Sequence, residues 1–234
     1  TGTGEEVAGI VGQNISAHIY NCSVESTNIE GYFDVAGITG HVFGDYGEVD
    51  ILNSYVKNST MRTTGYSTAD NCAYCAGICA HEKVGAGNIK NCYVISSRMI
   101  AEGDKGNGVG GIVGNSSSNN ASEKIENCYV TGCELKGNAA VGGIVAISSN
   151  VRPINNCYVT ATSIYAKTST VGGICGLNKT ANTAPITNCY SAATLSLNGT
   201  PQYNCVGTGD LMCETNITST TPAITNSYYL VPDG

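Results

Sequence analysis

Tryptophan is absent from this chain, phenylalanine occurs twice, proline five times, and only 12% of the residues are charged. Each scarcity closes a possibility. Eleven Lys and Arg stand against eighteen Asp and Glu, a net charge of −7, so no basic stripe is available for a nucleic-acid backbone. No apolar run approaches the roughly 20 residues of a membrane span, and membrane insertion is not expected. No signal peptide is present, but a mature secreted fragment would lack one too. The abrupt opening TGTGEE reads as the start of a piece trimmed from something longer. Nowhere do apolar residues recur at i, i+3, i+4 and i+7 over a useful length, which removes amphipathic helices. Disorder is removed by an apolar content of 41%, much of it Val and Ile. Few prolines and many β-branched residues point to strands.

What the chain does have is a repeat. The pattern I-x-N-[CS]-[YS]-[VSY] places its Asn at 21, 53, 91, 127, 156, 188 and 226, at intervals of 29 to 38 residues. A second word alternates with it in strict order: VAGIVG at 7, VAGITG at 35, CAGICA at 75, VGGIVG at 109, VGGIVA at 141 and VGGICG at 171. A degraded seventh copy is read near 204 to 211. A weaker β-branched segment follows the Asn word, as in ATSIYA, ATLSLN and CELKGN. Segments this short cannot bury a face alone, whereas stacked coils pile like residues on like and build one continuous core. The expected fold is therefore all-β: a single domain over 1–234, a single-stranded right-handed parallel β-helix of about seven coils. At about 4.8 Å per rung the stack would be roughly 30 to 35 Å long.

Within I-x-N-C-Y-V the second position is variable and mostly polar (Tyr20, Leu52, Lys90, Glu126, Asn155, Thr187, Thr225) and should face outward. Plain alternation would then turn Cys and Val outward as well. A bend at the Asn, which tolerates the left-handed region, lets Ile, Cys and Val all point inward and Tyr outward. Cys22, Cys92, Cys128, Cys157 and Cys189 should form an internal column, with Ser54 and Ser227 in the same slot. Parallel Cβ vectors on successive rungs do not suit a disulfide, so free thiols acting as small hydrophobes are expected, with a disulfide framework as the alternative.

The glycine words resemble the GLUG motif, a short repeat with a Gly-Leu-any-Gly core: Gly9-Ile10-Val11-Gly12, Gly37-Ile38-Thr39-Gly40, Gly77-Ile78-Cys79-Ala80, Gly111-Ile112-Val113-Gly114, Gly143-Ile144-Val145-Ala146 and Gly173-Ile174-Cys175-Gly176. Ile stands where that family often has Leu, and two copies end in Ala. The resemblance runs from about 7 to 229. It implies a bacterial surface or secreted protein, adhesin-like, in which the repeat is scaffold or binding surface. Such repeats also occur in non-catalytic parts of some immunoglobulin-A peptidases. No catalytic residues come with it.

Six outward tyrosines, Tyr55, Tyr93, Tyr129, Tyr158, Tyr190 and Tyr228, share one slot of the repeat, with Ser23 in the first. Aligned rings with polar tips could serve as a platform for sugars or a partner protein. Alternatively they stack on one another and shield the sheet. Cys72, Cys75, Cys79 and His81 have zinc-ligand chemistry, but Cys75 and Cys79 also sit where the repeat places core residues. Core packing is the expectation there, and no metal or cofactor is expected. HEKVG at 81 lacks the second His of a zinc-peptidase helix. Asp45, Glu48 and Asp50 form an acidic group without a counterpart in neighbouring coils, so no glycosidase-like pair is expected. Seven Asn-x-Ser/Thr sites, Asn14 to Asn216, are uninformative in a chain of this composition. Thr160 and Thr162 do not recur in phase as an ice-binding ladder would.

The expected function is thus a non-catalytic, secreted or cell-surface domain contacting a host glycan or extracellular protein, attached to flanking domains of the same polypeptide. A spacer is the alternative, and a carbohydrate-active enzyme the third.

Overall fold

The structure, a computed structural model, describes residues 4–44, 47–65, 73–83, 86–103, 107–178, 184–202 and 224–230. It is a parallel β-solenoid with no helix among the described residues. Each coil visits four sheets in turn. Sheet 1 holds the start of the glycine words, from Val7–Ala8 to Thr170–Gly172. Sheet 2 holds their ends, from Val11–Asn14 to Cys175–Asn178. Sheet 3 takes the residues before each Asn, from Ile19–Tyr20 to Ile224–Thr225. Sheet 4 takes everything after it, in two halves that run together in Tyr158–Ala166 and Tyr190–Leu197. The weak third segments seen in the sequence are its second half.

Register follows the repeat, with one bulge in sheet 4 between Thr160 and Ser163 where Tyr158–Ala166 pairs with Tyr190–Leu197. Ile51, Ile89, Ile125, Ile154 and Ile186 lie rung on rung, as do Val56, Val94, Val130 and Val159. Sheet 1 has six strands, hence five full turns between the first and the last. This is fewer than the about seven coils expected. Sheet 3 does reach seven strands, but the last coil contributes only Ile224–Thr225 and Tyr228–Tyr229, and the degraded glycine word near 204 lies outside the described residues.

The bend at the Asn is present in every coil: Asn21, Asn53, Asn91, Asn127, Asn156, Asn188 and Asn226 have φ between 49° and 55°. Ile, Cys and Val of the word consequently all point into the core, and the Asn is exposed. The Asn side chains also ladder, Asn91 Nδ2 donating to Asn53 Oδ1 at 2.9 Å and Asn127 Nδ2 to Asn91 Oδ1 at 3.2 Å. Five residues on, a second left-handed bend recurs at Ser26, Asn58, Ser96, Gly132 and Ala161. The sequence marks it weakly, because four residue types share the slot.

These two bends explain the cysteines. The residue after each bend carries a small X–H group that donates to the carbonyl two residues earlier. After the first bend Cys92 Sγ donates to Lys90 O at 3.3 Å, Cys128 Sγ to Glu126 O at 3.3 Å and Ser54 Oγ to Leu52 O at 2.9 Å. After the second bend Ser59, Ser97, Cys133 and Thr162 do the same. The slot is buried, so it wants a group that is small, weakly polar and a donor, and thiol and hydroxyl both qualify. No disulfide joins any two of the nine described cysteines.

The glycine words answer a different demand. The third residue of each word faces the Val of sheet 4 across the core, and a Cβ on Gly9, Gly111 or Gly143 would approach Val24, Val130 or Val159 to 2.6–2.7 Å. Past that Gly-Ile turn the chain folds back, so that residues which alternation turns away from the main core meet each other. Ala36, Tyr74, Ala80, Ala140, Ala146 and Ile147 form this second, smaller apolar cluster between sheets 1 and 2. Four consecutive buried residues in Cys79–Glu82, Val113–Ser116 and Val145–Ser148 follow from it. In the sixth coil Asn198 (φ 48°) and Gly199 (φ 78°) close a tight hairpin, and Thr200–Gln202 pairs antiparallel with the preceding strand. An Asn-Gly pair is the usual residue choice for such a turn.

Candidate functional site

Sheet 4 carries the six tyrosines on one outer row. Tyr55, Tyr93, Tyr129 and Tyr158 stack with centroids 4.8 to 4.9 Å apart and planes within 6° of parallel. Their separation is one rung of the solenoid, so the stack is a consequence of register. Tyr190 and Tyr228 continue the row by backbone pairing. The three tyrosines toward the N-terminal end are half-buried, whereas Tyr158, Tyr190 and Tyr228 are exposed. Because inner rings have a neighbour on each side, what the row offers outward is chiefly ring edges and hydroxyls. Tyr55 donates its hydroxyl to Glu25 Oε1 at 2.5 Å, and this bond raises the Tyr55 pKa above its ordinary value. Tyr129 is raised too, by partial burial and then by the adjoining phenols.

Beside the row, across the second bend, the outer face of sheet 4 is charged and dented. One shallow depression of about 460 Å³ lies among Asn28, Glu30, Thr60, Arg62 and Arg98. A second, about 320 Å³, lies among Glu102, Lys136, Asn138, Tyr165 and Lys167. Arg98 Nε pairs with Glu134 at 2.7 Å, and the Arg62 guanidinium with Glu102 at 3.1 Å. Phenols, carboxylates and guanidinium groups thus share one sheet face, and sequence reasoning missed the charged half because its residues do not repeat.

The cysteine–histidine group behaves as its place in the repeat demands. Cys75 and Cys79 point into the main core, where Cys75 Sγ donates to Met61 O and Cys79 Sγ to His81 O. The His81 ring turns the other way, into the fold-back between sheets 1 and 2. Cys72 lies outside the described residues. The ring of His81 instead meets Asp34 and His41: Asp34 Oδ2 is 3.1 Å from His81 Nδ1 and 3.3 Å from His41 Nδ1. Glu6 Oε1 is 3.0 Å from His41 Nδ1. Phe43 stacks on His41 at 4.1 Å and Tyr74 lies 4.8 Å from His81. Burial alone would raise the Asp34 pKa, but the close approach and charge of the two imidazoles prevail and hold it below the ordinary value. Asp34 itself has φ 46°. His41 and His81 share one slot of adjacent coils and Glu6 and Asp34 another, but neither slot keeps its chemistry in the later coils, so no chain-long repeat signal announced them.

Of the acidic loop, Asp45 lies outside the described residues and Glu48 is exposed. Asp50 Oδ1 accepts from the backbone N–H and the amide of Asn88 at 2.7 and 3.0 Å. Its carboxylate holds one coil to the next. At the same corner Arg152 and Glu82 form a fully buried ion pair at 2.5 Å, with a second Arg152 bond to Gly87 O.

No protein-family profile matches the chain, and no curated protein matches it. A solved structure does: a crystal structure at 1.30 Å of a Bacteroides ovatus protein that carries the provisional name immunoglobulin A1 protease, with a TM-score of 0.60 and 20% identity, over 93% of this chain and 67% of that one. The two share the β-solenoid fold.

Proposed function

We propose that this chain is a non-catalytic repeat domain of the GLUG kind, belonging to a secreted or cell-surface bacterial protein, that contacts a host glycan or extracellular protein through the outer face of sheet 4. The observation that carries the reading is the tyrosine row, which sets phenol edges and hydroxyls at one-rung spacing beside two charged depressions. Tyrosine gives large contact area with little loss of side-chain freedom, and a hydroxyl row suits a hydroxyl-rich or amide-rich partner. Flanking domains of the same polypeptide would hold the solenoid at the surface. The Bacteroides protein of the same fold is named for activity on an antibody, an extracellular substrate, which favours such a setting by analogy. A glycosidase-like site would need two carboxylates placed across a cleft. Glu82, Glu102 and Glu134 are instead tied to arginines.

A spacer is the second reading, favoured by the stacking itself, which gives the rings a structural use at roughly 0.2 to 1 kcal/mol per pair. An array of glycans and extracellular-matrix proteins probed with this chain separates the two. Reproducible hits support the contact domain; silence across the array supports the spacer.

A further inference from the structure

Four side chains from three successive coils converge where sheets 1 and 2 fold back on each other. Glu6 precedes Val7–Ala8, Asp34 precedes Val35–Ala36, His41 lies in Thr39–Val42, and His81 lies opposite it in Cys79–Glu82. The side chains of Asp34, His41 and His81 are 4%, 6% and 11% exposed and that of Glu6 18%, so water supplies little of their solvation.

Hydrogen bonding leaves this group incomplete. The His81–Asp34 contact is aligned as a hydrogen bond. His41 Nδ1 lies within 3.3 Å of two carboxylate oxygens yet is aligned with neither, and both His41 Nε2 and Asp34 Oδ1 are buried without a protein partner. Buried polar atoms are ordinarily paired, so three orphans in one cluster require a reason. Two carboxylates also meet here largely out of water, and burying a carboxylate without a counter-charge is costly.

We propose that Asp34, His41 and His81, completed by Glu6, bind one divalent transition-metal ion, with zinc the ion this donor set fits best. Imidazole nitrogen and carboxylate oxygen bind zinc at about 2.0–2.2 Å, and a tetrahedron with such bonds has edges of about 3.3–3.6 Å. The contacts of 3.0, 3.1 and 3.3 Å fall at or slightly inside that edge length. The ligand atoms of Asp34, His41 and His81 all lie within 4.8 Å of one another. Two imidazoles select against calcium and magnesium, which take oxygen shells. An ion at this point neutralises both carboxylates and gives His41 Nδ1 the partner that neither oxygen supplies. It ties Glu6 of one coil to Asp34 and His41 of the second and His81 of the third. The role is structural, because all four positions are taken by protein.

The test uses the whole chain, stripped with EDTA, titrated with zinc chloride and assayed for retained metal after gel filtration. The expected result is one zinc per chain, a higher Tm, and, with cobalt in its place, the visible bands of a tetrahedral nitrogen–oxygen site. His18→Ala removes the third histidine, which lies 3.6 Å from Asp50 elsewhere on the coil, and should change none of these. A His41→Ala/His81→Ala double change should abolish stoichiometric retention. Glu6→Gln, at the rim, should weaken zinc by more than the roughly 10- to 100-fold typical of an outer-shell loss. No retained zinc in the parent chain would overturn the site. So would equal retention in the double variant, or a cobalt spectrum dominated by thiolate charge transfer, and the last readout holds even if the variants fail to fold.

Discussion

Gly143 and Val159 face each other across the core, and a Cβ on Gly143 would stand 2.7 Å from a Val159 methyl and 2.0 Å from the Gly173 carbonyl oxygen one coil on. The same opposition recurs between Gly9 and Val24 and between Gly111 and Val130. Gly143→Ala should therefore clash with the backbone of the next coil as well as overpack the core, and cost at least the roughly 1–3 kcal/mol of overpacking alone in urea unfolding. Adding Val159→Ala should recover part of that loss, a coupling that a double-mutant cycle reads directly.

Cys128 can be replaced by its natural substitute. Serine fills the same slot at Ser54 and Ser227 and makes the same bond to the carbonyl two residues back. Cys128→Ser should cost under about 1.5 kcal/mol, whereas Cys128→Leu should overpack the column by about 1–3 kcal/mol. Chemical denaturation of the two variants checks this.

Alkali should unfold the protein through its thiols. Burial pushes Cys75 up to about 12 and Cys133 up to about 11, from an ordinary 9.0. A raised thiol pKa means the folded state holds its proton longer, so this stabilisation is whole below 9.0 and is lost as pH climbs through 11 to 12. Tm should fall steeply across that window, and a Cys75→Ala/Cys133→Ser variant should fall less.

Breaking the buried Arg152–Glu82 pair on one side should be costly. Glu82→Gln leaves the guanidinium without its counter-charge and should lose about 3–5 kcal/mol, while Glu82→Gln with Arg152→Met should lose less. Urea midpoints of both variants decide it.

How much of this was legible beforehand varies by residue. The asparagine bend, the inward cysteines and the stacked tyrosines follow from a fixed word repeated in register, because stacking turns sequence spacing into spatial columns. The second bend was not legible, since Ser26, Asn58, Ser96, Gly132 and Ala161 share a backbone conformation but no chemistry. Nor was the fold-back of sheets 1 and 2, because alternation alone cannot say whether an outward residue meets water or another sheet. Asp34, His41 and His81 lie 47 residues apart at the extremes and in three different elements, and only the turn of the coil joins them. The turn count was overestimated because asparagine words were counted where complete coils were needed.

The most direct test of the account probes one glycan and matrix array with the parent chain and with a Tyr129→Ala/Tyr158→Ala variant whose circular dichroism matches the parent. The prediction is that the parent binds at least one target and that the variant loses it. Binding that survives both changes undiminished would contradict a contact surface built on this tyrosine row.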